Sequence, residues 1–455
     1  MSDTIVAIAS ATGRSAIAVV RLSGKDTFRV LQKVILPADI DKLQHRKAVV
    51  LDLFKSAESV SREFVDKCVV VTFVAPHSYT GEDLVELYCH GGYVVPQLLV
   101  DTLVAAGARV ALPGEFTQRA FFNEKMDLLQ AESVEAIVAA SSRSELRFAH
   151  QHYSGQFSSE IRRLRAELID LLSLLELELD FSEEDVEFAD RDEIFNRLAA
   201  LQELLAKLLQ SYQRTHLLRD GIKVAIVGRP NVGKSSLLNL LLKKERAIVT
   251  ELPGTTRDII EESLEIAGLK FVFIDTAGIR TTEDYVEKLG IDRSQSVLEN
   301  ATITLLLVDH NSVLKKEDWQ IRHLVLDRKT NNSVQPIVLF NKSDLPRQAS
   351  ENELESFAKG FYGLDFSSKT GAGLDALEQQ LVDVAKMSMG QIDMGDPVLL
   401  NIRQKNLVSK ALAALNRSIE SFSQNLSQEF ISAELRFVLD FLGELIGEVT
   451  TEDIL

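Results

Sequence analysis

The sequence predicts a multidomain α/β plus all-α protein, in which a helical bundle domain is interrupted by an inserted P-loop domain. Three observations support this. Short β-like runs dominate the first part of the chain, strands alternate with helices in the third quarter, and apolar stripes at helical spacing flank that alternating region. We predict an N-terminal α/β domain over 1–118, two halves of a helical domain over 119–216 and 386–455, and the inserted domain over 217–385.

Composition limits the class of protein. At 455 residues the chain is long enough for several domains that each bury a core. No apolar run approaches the roughly 18 residues of a membrane span, and the N-terminus does not have the character of a signal peptide. The 2 cysteines do not make a disulfide framework, so we expect a cytoplasmic protein. A net charge of −17 argues against broad binding of nucleic acid, but not against a local basic patch or recruitment through a partner.

The N-terminal region carries β-branched runs bounded by turn residues. The predicted strands cover 4–9, 16–22, 67–74 and 84–89, and a segment with helical spacing follows at 93–106. Polar residues such as Arg21 and Glu82 stand at strand ends, where a solvated surface position is the ordinary interpretation of each one alone. His77, Cys89 and His90 match no zinc pattern, and we predict no metal site from them.

The helical regions carry apolar stripes over 161–179, 194–209, 402–422 and 430–446. The acidic segment 176–193 is interpreted as a solvated connection between antiparallel helices. The stripes are most simply the core of one bundle. Because domain termini often lie close together, such a bundle can accept an inserted domain.

The inserted region begins with a phosphate-binding motif. Gly228 to Ser235 fits the pattern G-x-x-x-x-G-K-[ST], with an apolar run before it and a helix-compatible run after it. The glycines let backbone amides converge on phosphates, and a helix N-terminus adds positive charge. We expect Lys234 to reach the β- and γ-phosphates and Ser235 to hold Mg²⁺.

Further motifs follow successive predicted strands. Asp275 can hold Mg²⁺ through water, and Gly278 can donate its N–H to the γ-phosphate. In the segment Asn341-Lys342-Ser343-Asp344, Asp344 can accept hydrogen bonds from N1–H and N2–H₂ of guanine. Adenine has no such donor pair, so these residues predict GTP rather than ATP as the ligand.

Two loops complete the predicted nucleotide site. Ser367-Ser368-Lys369 would close over the base, and 254–258 lies where a switch threonine completes the Mg²⁺ shell. The residues predicted to bind GTP are Asn231, Val232, Gly233, Lys234, Ser235, Ser236, Thr250, Glu251, Leu252, Pro253, Gly254, Thr255, Thr256, Asp275, Thr276, Ala277, Gly278, Asn341, Lys342, Asp344, Ser367, Ser368 and Lys369.

The residue after Gly278 is Ile279, at a position where many small GTPases place a water-orienting glutamine. Isoleucine cannot orient water. Either hydrolysis is slow, or a polar group farther along the chain takes this role. The candidates are Glu283, Asp284 and Glu287.

The sequence does not identify an arginine that would supply positive charge to the transition state of GTP hydrolysis. Arg257 and Arg280 are near in sequence, but each also has a structural interpretation. A monovalent cation can supply this charge instead. Asn231 lies inside the phosphate loop and offers an oxygen ligand for one.

Several N-terminal strings are more specific than the nucleotide motifs, which many GTPases share. They are Arg21-Leu22-Ser23-Gly24, Tyr79-Thr80-Gly81-Glu82-Asp83, His90-Gly91-Gly92, Pro113 to Phe121 and Asn123 to Leu128. With these strings and the nucleotide motifs, the chain resembles the MnmE family of tRNA modification GTPases, also called TrmE, over nearly its whole length.

The resemblance implies a homodimer whose N-terminal domain binds 5-formyl- or 5,10-methylene-tetrahydrofolate through Arg21, Glu82 and Lys125. An FAD-dependent partner, MnmG, would join it in a heterotetramer. Together they would act on tRNA, modifying carbon 5 of the wobble uridine of certain tRNAs to a carboxymethylaminomethyl-type group. The folate would supply one carbon.

For the inserted domain, the resemblance implies a Ras-like G domain that dimerises across its nucleotide face and is stimulated by K⁺. By motif, the K⁺ ligands are Asn231, Thr250, Leu252 and Thr255, and the Mg²⁺ ligands are Ser235 and Thr256. Glu287 matches the glutamate that positions the attacking water.

Family members usually end in a tail containing Phe-Cys-Ile-Gly-Lys, whereas this sequence stops at Leu455. Neither Cys68 nor Cys89 is placed to replace the cysteine of that tail. The expectation is a cysteine-containing continuation, without which GTP and folate binding would survive and the tRNA chemistry would not.

Two other functions stay open at the level of sequence. One is a ribosome-assembly GTPase switch, a class that usually carries a basic RNA-binding domain, which this acidic chain does not show. The other is a folate-dependent one-carbon transferase regulated by a G domain, in which the N-terminal region alone would turn over folate.

Overall fold

The computed structural model describes residues 3–56, 62–180, 191–245, 261–275, 298, 301–329, 336–389, 398–424 and 427–448. These residues belong to two compact units. The first contains those within 1–135, 152–163 and 443–455, and the second contains those within 136–151 and 164–442. In the described part of the chain, no helix has the length and apolar character needed to cross a membrane.

The first unit is built on a six-stranded sheet. Its strands are β1 (Ile5–Ile8), β2 (Ile17–Ser23), β3 (Ala48–Phe54), β4 (Phe64–Phe73), β5 (Leu84–His90) and β6 (Arg109–Val110). The order is β3-β4-β5-β2-β1-β6, and all neighbours are antiparallel except β1 and β6. The predicted strands that correspond to β1, β2, β4 and β5 are confirmed. The prediction omitted β3, an edge strand in which only Leu51 and Leu53 are buried, so its period-2 signal is short.

The helices of both units, in chain order, are α1 (Thr27–Gln32), a 3₁₀ helix (Pro37–Lys42), α2 (Val94–Ala105), α3 (Glu115–Phe122), α4 (Leu128–Ala139), α5 (Arg143–Tyr153), α6 (Gln156–Asp180), α7 (Arg191–Asp220), α8 (Lys234–Glu245), α9 (Lys316–Lys329), α10 (Glu351–Ala358), α11 (Leu374–Met389), α12 (Ile402–Ser423) and α13 (Gln428–Ile446). The predicted helix over 93–106 corresponds to α2.

One face of the first sheet packs against α1 and α2. Alternate residues of β2 and β5, such as Leu22 and Leu87, are buried there with Leu99 and Leu103 of α2. Because side chains alternate across a strand, Arg21 lies on the opposite face of the sheet. That face carries the polar site described below.

The second unit contains a mainly parallel sheet. Its strands are β7 (Ile222–Val227), β8 (Glu261–Ile266), β9 (Leu269–Asp275), β10 (Ile303–Asp309), β11 (Ile337–Asn341) and β12 (Tyr362–Asp365). The order is β12-β11-β10-β7-β9-β8, and only β8 and β9 pair antiparallel. Helices α8 and α11 cover one face, and α9 and α10 cover the other. The alternation of strands and helices that the sequence predicts for this region is confirmed. The glutamate-rich edge strand β8 was missed because it has no continuous apolar run.

The predicted apolar stripes form buried faces of α6, α7, α12 and α13. Three predicted core residues are exposed instead. Ile402 is the first residue of α12, and Phe430 and Phe437 lie one position before Ile431 and Val438. One position is about 100° around a helix, which turns both phenylalanines away from the buried stripe. The ends of the acidic segment are helical, since α6 runs to Asp180 and α7 starts at Arg191. Residues 181–190 lie outside the described residues.

Candidate functional site

The phosphate-binding motif forms the loop between β7 and α8, at the carboxyl end of a central strand. Gly228 has φ +150°, and a Cβ there would lie 2.4 Å from the backbone oxygen of Leu307. Gly233 has φ +105°, and its Cβ would lie 2.2 Å from Nδ2 of Asn341. Both positions therefore need glycine. At Gly228 the loop packs closely against β10, and at Gly233 it packs against the end of β11.

Lys234 lies in the first turn of α8 and is almost fully buried. Its Nζ donates to the backbone oxygens of Gly228 at 2.8 Å and Arg229 at 2.9 Å. The ammonium group is thus held inside the curve of the loop, where it can meet phosphate oxygens. Asn231 has φ +63°, so the loop bends at this exposed residue.

An ion pair that the sequence did not predict anchors the phosphate loop. Nε of Arg229 lies 2.7 Å from Oδ1 of Asp318, whose side chain is 1% exposed. The other carboxylate oxygen of Asp318 accepts from the backbone N–H of Lys315 at 2.9 Å. Asp318 therefore ties the loop to the start of α9. Asp318 lies 89 residues after Arg229 in the sequence, so no local pattern identifies it.

Asn341 joins the phosphate loop to the loop after β12. Its buried side chain donates through Nδ2 to the backbone oxygen of Val232 at 2.7 Å and to Oγ of Ser368 at 3.0 Å. Its Oδ1 accepts from the N–H of Ser368 at 2.9 Å. The structure therefore brings together three of the predicted GTP-binding loops. Asn341 therefore braces these loops against one another.

Asp344 lies on the surface beside the loop after β12. Its Oδ1 accepts from the hydroxyl of Ser367 at 2.6 Å. This hydrogen bond, assisted by the nearby charges of Lys369 and Lys342, lowers the pKa of Asp344. The side chain is therefore ionised at neutral pH and acts only as an acceptor, as recognition of two guanine N–H groups requires.

Lys342 is held by an aspartate that was also not predicted. Its Nζ lies 2.6 Å from Oδ2 of Asp309, which ends β10 opposite Asn341. The backbone of Lys342 has φ +67°, a conformation that is uncommon outside glycine. The ion pair thus fixes a side chain that the sequence predicts to bind GTP.

Asp309→Asn is expected to weaken GTP binding by about threefold to tenfold, because a half-buried charge pair that orients Lys342 is lost. Titration of a fluorescent GTP analogue measures this. Asp365→Asn removes an equal charge from the end of β12, where Asp365 pairs with Arg347 at 3.5 Å. It should leave affinity unchanged, and equal affinities for wild type and Asp309→Asn would contradict the assigned role of Asp309.

The remaining predicted nucleotide residues are not all described. Asp275 ends β9, and its backbone lies opposite Ile226 of β7, beside the phosphate loop. Ser235 and Ser236 lie exposed in the first turn of α8. The predicted residues outside the described part of the chain are Thr250, Glu251, Leu252, Pro253, Gly254, Thr255, Thr256, Thr276, Ala277, Gly278 and Glu287. In the part that is described, no three His, Cys, Asp or Glu side chains form a metal-binding group.

The first unit holds a second polar site around Arg21. Its Nη2 and Nε donate to Oε1 of Glu86 at 2.8 and 3.1 Å. The guanidinium carbon lies 5.0 Å from the ring centre of Tyr79 and 5.7 Å from that of Phe116. Arg21 is therefore not the freely solvated residue that it could be when considered alone. It is oriented by one carboxylate and two aromatic rings.

Glu82 lies at the turn before β5, and Lys125 packs against the neighbouring residue of that turn, Gly81. Oε2 of Glu82 accepts from Oγ of Ser23 at 3.1 Å and from Nη1 of Arg119 at 3.0 Å. A Cβ on Gly81 would lie 3.2 Å from Cδ of Lys125, so the lysine stem packs along this turn. Since Ser23 follows Arg21 by two residues on the same face of β2, its hydrogen bond places Glu82 on the side of the sheet that carries Arg21.

The two cysteines do not offer a reactive thiol. Cys68 and Cys89 are both buried in the core of the first unit. Burial raises the pKa of Cys89 to about 11, and burial with the charge of Asp66 raises the pKa of Cys68 further. Both are therefore protonated at neutral pH, as is typical of structural cysteines.

A parallel sheet covered on both faces, a glycine loop leading into a helix, and an Asn-Lys-Ser-Asp segment define a P-loop protein of the guanine-nucleotide class. Two family models match the chain. "GTP-binding protein TrmE N-terminus" covers residues 4–125, and "MnmE helical domain" covers residues 128–455. The chain therefore belongs to the MnmE, or TrmE, family of tRNA modification GTPases.

Similar proteins agree with this assignment over the full chain. The tRNA modification GTPase MnmE of Parabacteroides distasonis is 40% identical over 455 residues, which cover 100% of this chain and 97% of the relative. Those of Thermoanaerobacter pseudethanolicus and Porphyromonas gingivalis are each 38% identical, with 100% of this chain and 97% and 96% of the relatives covered. The predicted fold class, a helical domain with an inserted G domain after an N-terminal α/β domain, is confirmed.

Proposed function

We propose that this chain is a K⁺-stimulated GTPase that modifies carbon 5 of the wobble uridine of certain tRNAs, together with an FAD-dependent MnmG-type partner. The observation that supports the proposal is that this chain has two separate polar sites. One is the guanine-nucleotide site, and the other lies at Arg21 and Glu82. The nucleotide site suits a switch, and the second site suits a small polar cofactor. Neither alternative function is favoured by a particular contact.

In the nucleotide site, Lys234 and the loop amides would hold the phosphates while Asp344 selects guanine. Ser235 and Thr256 would hold Mg²⁺, since hydroxyl oxygen is a suitable ligand for a hard cation. Asn231, Thr250, Leu252 and Thr255 would hold K⁺, and the bent, exposed position of Asn231 in the loop suits an amide oxygen ligand. The cations would supply positive charge to the transition state.

Replacement of K⁺ by Na⁺ at equal ionic strength is expected to lower the GTP hydrolysis rate by about tenfold or more, because the smaller ion fits an oxygen cage built for K⁺ poorly. Release of phosphate under saturating GTP measures the rate. Binding of a GTP analogue should change little between the two salts. Equal hydrolysis in K⁺ and Na⁺ would remove the cation from the mechanism.

In the second site, Arg21, Glu82 and Lys125 would bind a 5-formyl- or 5,10-methylene-tetrahydrofolate. The pterin ring has adjacent N–H groups that can donate hydrogen bonds to a carboxylate such as that of Glu82. The positive charges of Arg21 and Lys125 suit the carboxylates of the cofactor. Tyr79 and Phe116 add flat surfaces near Arg21. When bound, the folate would supply one carbon to the modification.

The assembly is part of the same proposal: a cytoplasmic homodimer that joins its partner in a heterotetramer and acts on tRNA. The net charge of −17 suits recruitment of tRNA mainly through a basic partner. The test is reconstitution with the partner, tRNA, GTP and folate, followed by mass analysis of the wobble nucleoside. Omission of GTP or of folate should each abolish the carbon-5 modification. Unmodified tRNA in the complete mixture would oppose the proposal.

A further inference from the structure

Arg119 is a buried cation in the first unit, with its side chain 1% exposed. Five hydrogen bonds use the N–H groups of its two terminal nitrogens. Nη1 donates to the backbone oxygen of Asp3 at 2.8 Å and to Oε2 and Oε1 of Glu82 at 3.0 and 3.3 Å. Nη2 donates to Oδ1 of Asp3 at 2.9 Å and to Oε1 of Glu115 at 3.0 Å. The guanidinium therefore fixes three segments that are far apart in sequence.

The hydrogen bonds of Arg119 leave the carboxylate of Glu82 partly exposed to solvent. Its side chain is 18% exposed, whereas those of Arg119 and Glu115 are 1% and 3% exposed. Arg119 thus contacts the carboxylate of Glu82 from the protein interior, and Ser23 adds a second donor at 3.1 Å. A carboxylate has about four acceptor positions. Three interior contacts, from Arg119 to both oxygens and from Ser23 to Oε2, leave the remaining acceptor capacity for a ligand on the exposed side.

The charge of Arg119 is also neutralised by two carboxylates other than Glu82, those of Asp3 and Glu115. Glu115 also pairs with Arg109 at 2.7 Å, and Arg109 lowers the pKa of Glu115 to about 2. Asp3 likewise pairs with Arg109, at 2.7 Å. Two arginines and two carboxylates therefore balance one another, with Asp3 and Arg109 partly exposed and Arg119 and Glu115 buried. Glu82 is the additional carboxylate, and its hydrogen bond with Ser23 joins it to β2, the strand that carries Arg21.

We infer that Arg119 is a positioning residue for the folate site, holding Glu82 in the orientation in which its free oxygen positions meet the N–H donors of the cofactor. This inference rests on the proposed folate binding. Arg119 would not touch the cofactor itself. Lysine cannot replace it, because a single ammonium group cannot reproduce the two-nitrogen fork that contacts Glu82 and Glu115 together.

The test is the affinity of the full chain for 5-formyl-tetrahydrofolate, measured by isothermal titration. Arg119→Lys is expected to weaken binding by about tenfold or more, because a charge-assisted hydrogen bond to Glu82 is lost. Arg109→Lys is the matched control. It disturbs the same network through Asp3 and Glu115 but does not contact Glu82, so affinity should stay within about twofold of wild type. GTP hydrolysis by each variant reports that the chain is folded.

A double-mutant cycle separates positioning from a merely structural role. In a Glu82→Gln chain, Arg119→Lys should cause almost no further loss of folate affinity, since the residue it positions is already changed. Equal losses in both backgrounds, or unchanged affinity of Arg119→Lys, would overturn the role of Arg119 while leaving folate binding intact. A wild-type chain that does not bind the folate would overturn both proposals.

If Arg119→Lys does not fold, Asp3→Asn provides a milder change. It loosens Arg119 at the surface end of the network without altering Glu82. A loss of folate affinity of about threefold, absent in a Glu82→Gln background, is the expected result. Unchanged affinity of Asp3→Asn would count against the inference.

Discussion

Asp344→Asn is expected to weaken GTP binding by roughly 100-fold and to relax the choice of base, because a site built to hydrogen-bond its ligand loses much when the pairing fails. The ionised carboxylate accepts from N1–H and N2–H₂ of guanine. An asparagine at the same place offers one acceptor and one donor group, so its amide N–H₂ faces the amino group of guanine. Two donors then oppose each other without a hydrogen bond. Competition binding with GTP, ATP and xanthosine triphosphate measures the change.

Xanthosine triphosphate provides the control for folding of the Asp344→Asn chain. Xanthine carries a carbonyl where guanine carries N2–H₂, so it can accept from the asparagine amide while its N1–H donates to the amide oxygen. The variant should therefore bind xanthosine triphosphate better than wild type does. In wild type the hydroxyl of Ser367 donates to the carboxylate of Asp344 and lowers its pKa, whereas in the variant the acceptor is a neutral amide. Unchanged GTP affinity would show that another residue reads the base.

The nucleotide site could be predicted because its chemistry is local in sequence. Lys234, Asn341 and Asp344 each lie in a short motif at the carboxyl end of a strand, and parallel strands bring those ends to one edge of the sheet. The alternating pattern also predicted a largely parallel sheet. The edge strands β3 and β8 were not predicted, because β3 buries only Leu51 and Leu53 and β8 has no continuous apolar run.

The residues that hold these side chains in place could not be predicted in the same way. Asp318 meets Arg229, Asp309 meets Lys342 and Arg119 meets Glu82 across long separations in sequence. In the sequence, Asp318, Asp309 and Arg119 each stand among neighbours that would equally suit a solvated surface residue. Only the packing of elements identifies the pairing, so the sequence indicates which side chains meet a ligand and the structure adds which side chains position them.

The hydrolytic step depends on a residue that sequence motifs alone leave ambiguous. Ile279 occupies the position where many GTPases place a water-orienting glutamine, so either hydrolysis is slow or another group orients the water. Glu283, Asp284 and Glu287 are the candidates from the chain itself, and all three lie outside the described residues. Family resemblance favours Glu287. Chemistry alone does not separate the three, since each carboxylate can accept a proton from water.

Glu287→Ala is expected to lower the rate of GTP hydrolysis by roughly 100-fold while leaving GTP affinity unchanged, because the residue would act on the attacking water and not on the bound nucleotide. Single-turnover hydrolysis and binding of a GTP analogue measure the two quantities separately. Glu283→Ala and Asp284→Ala are matched controls, since each removes one carboxylate from the same stretch and should retain hydrolysis. A loss confined to one of those two would transfer the role to that residue. Full turnover in all three variants would mean that none of these three carboxylates is needed to orient the water.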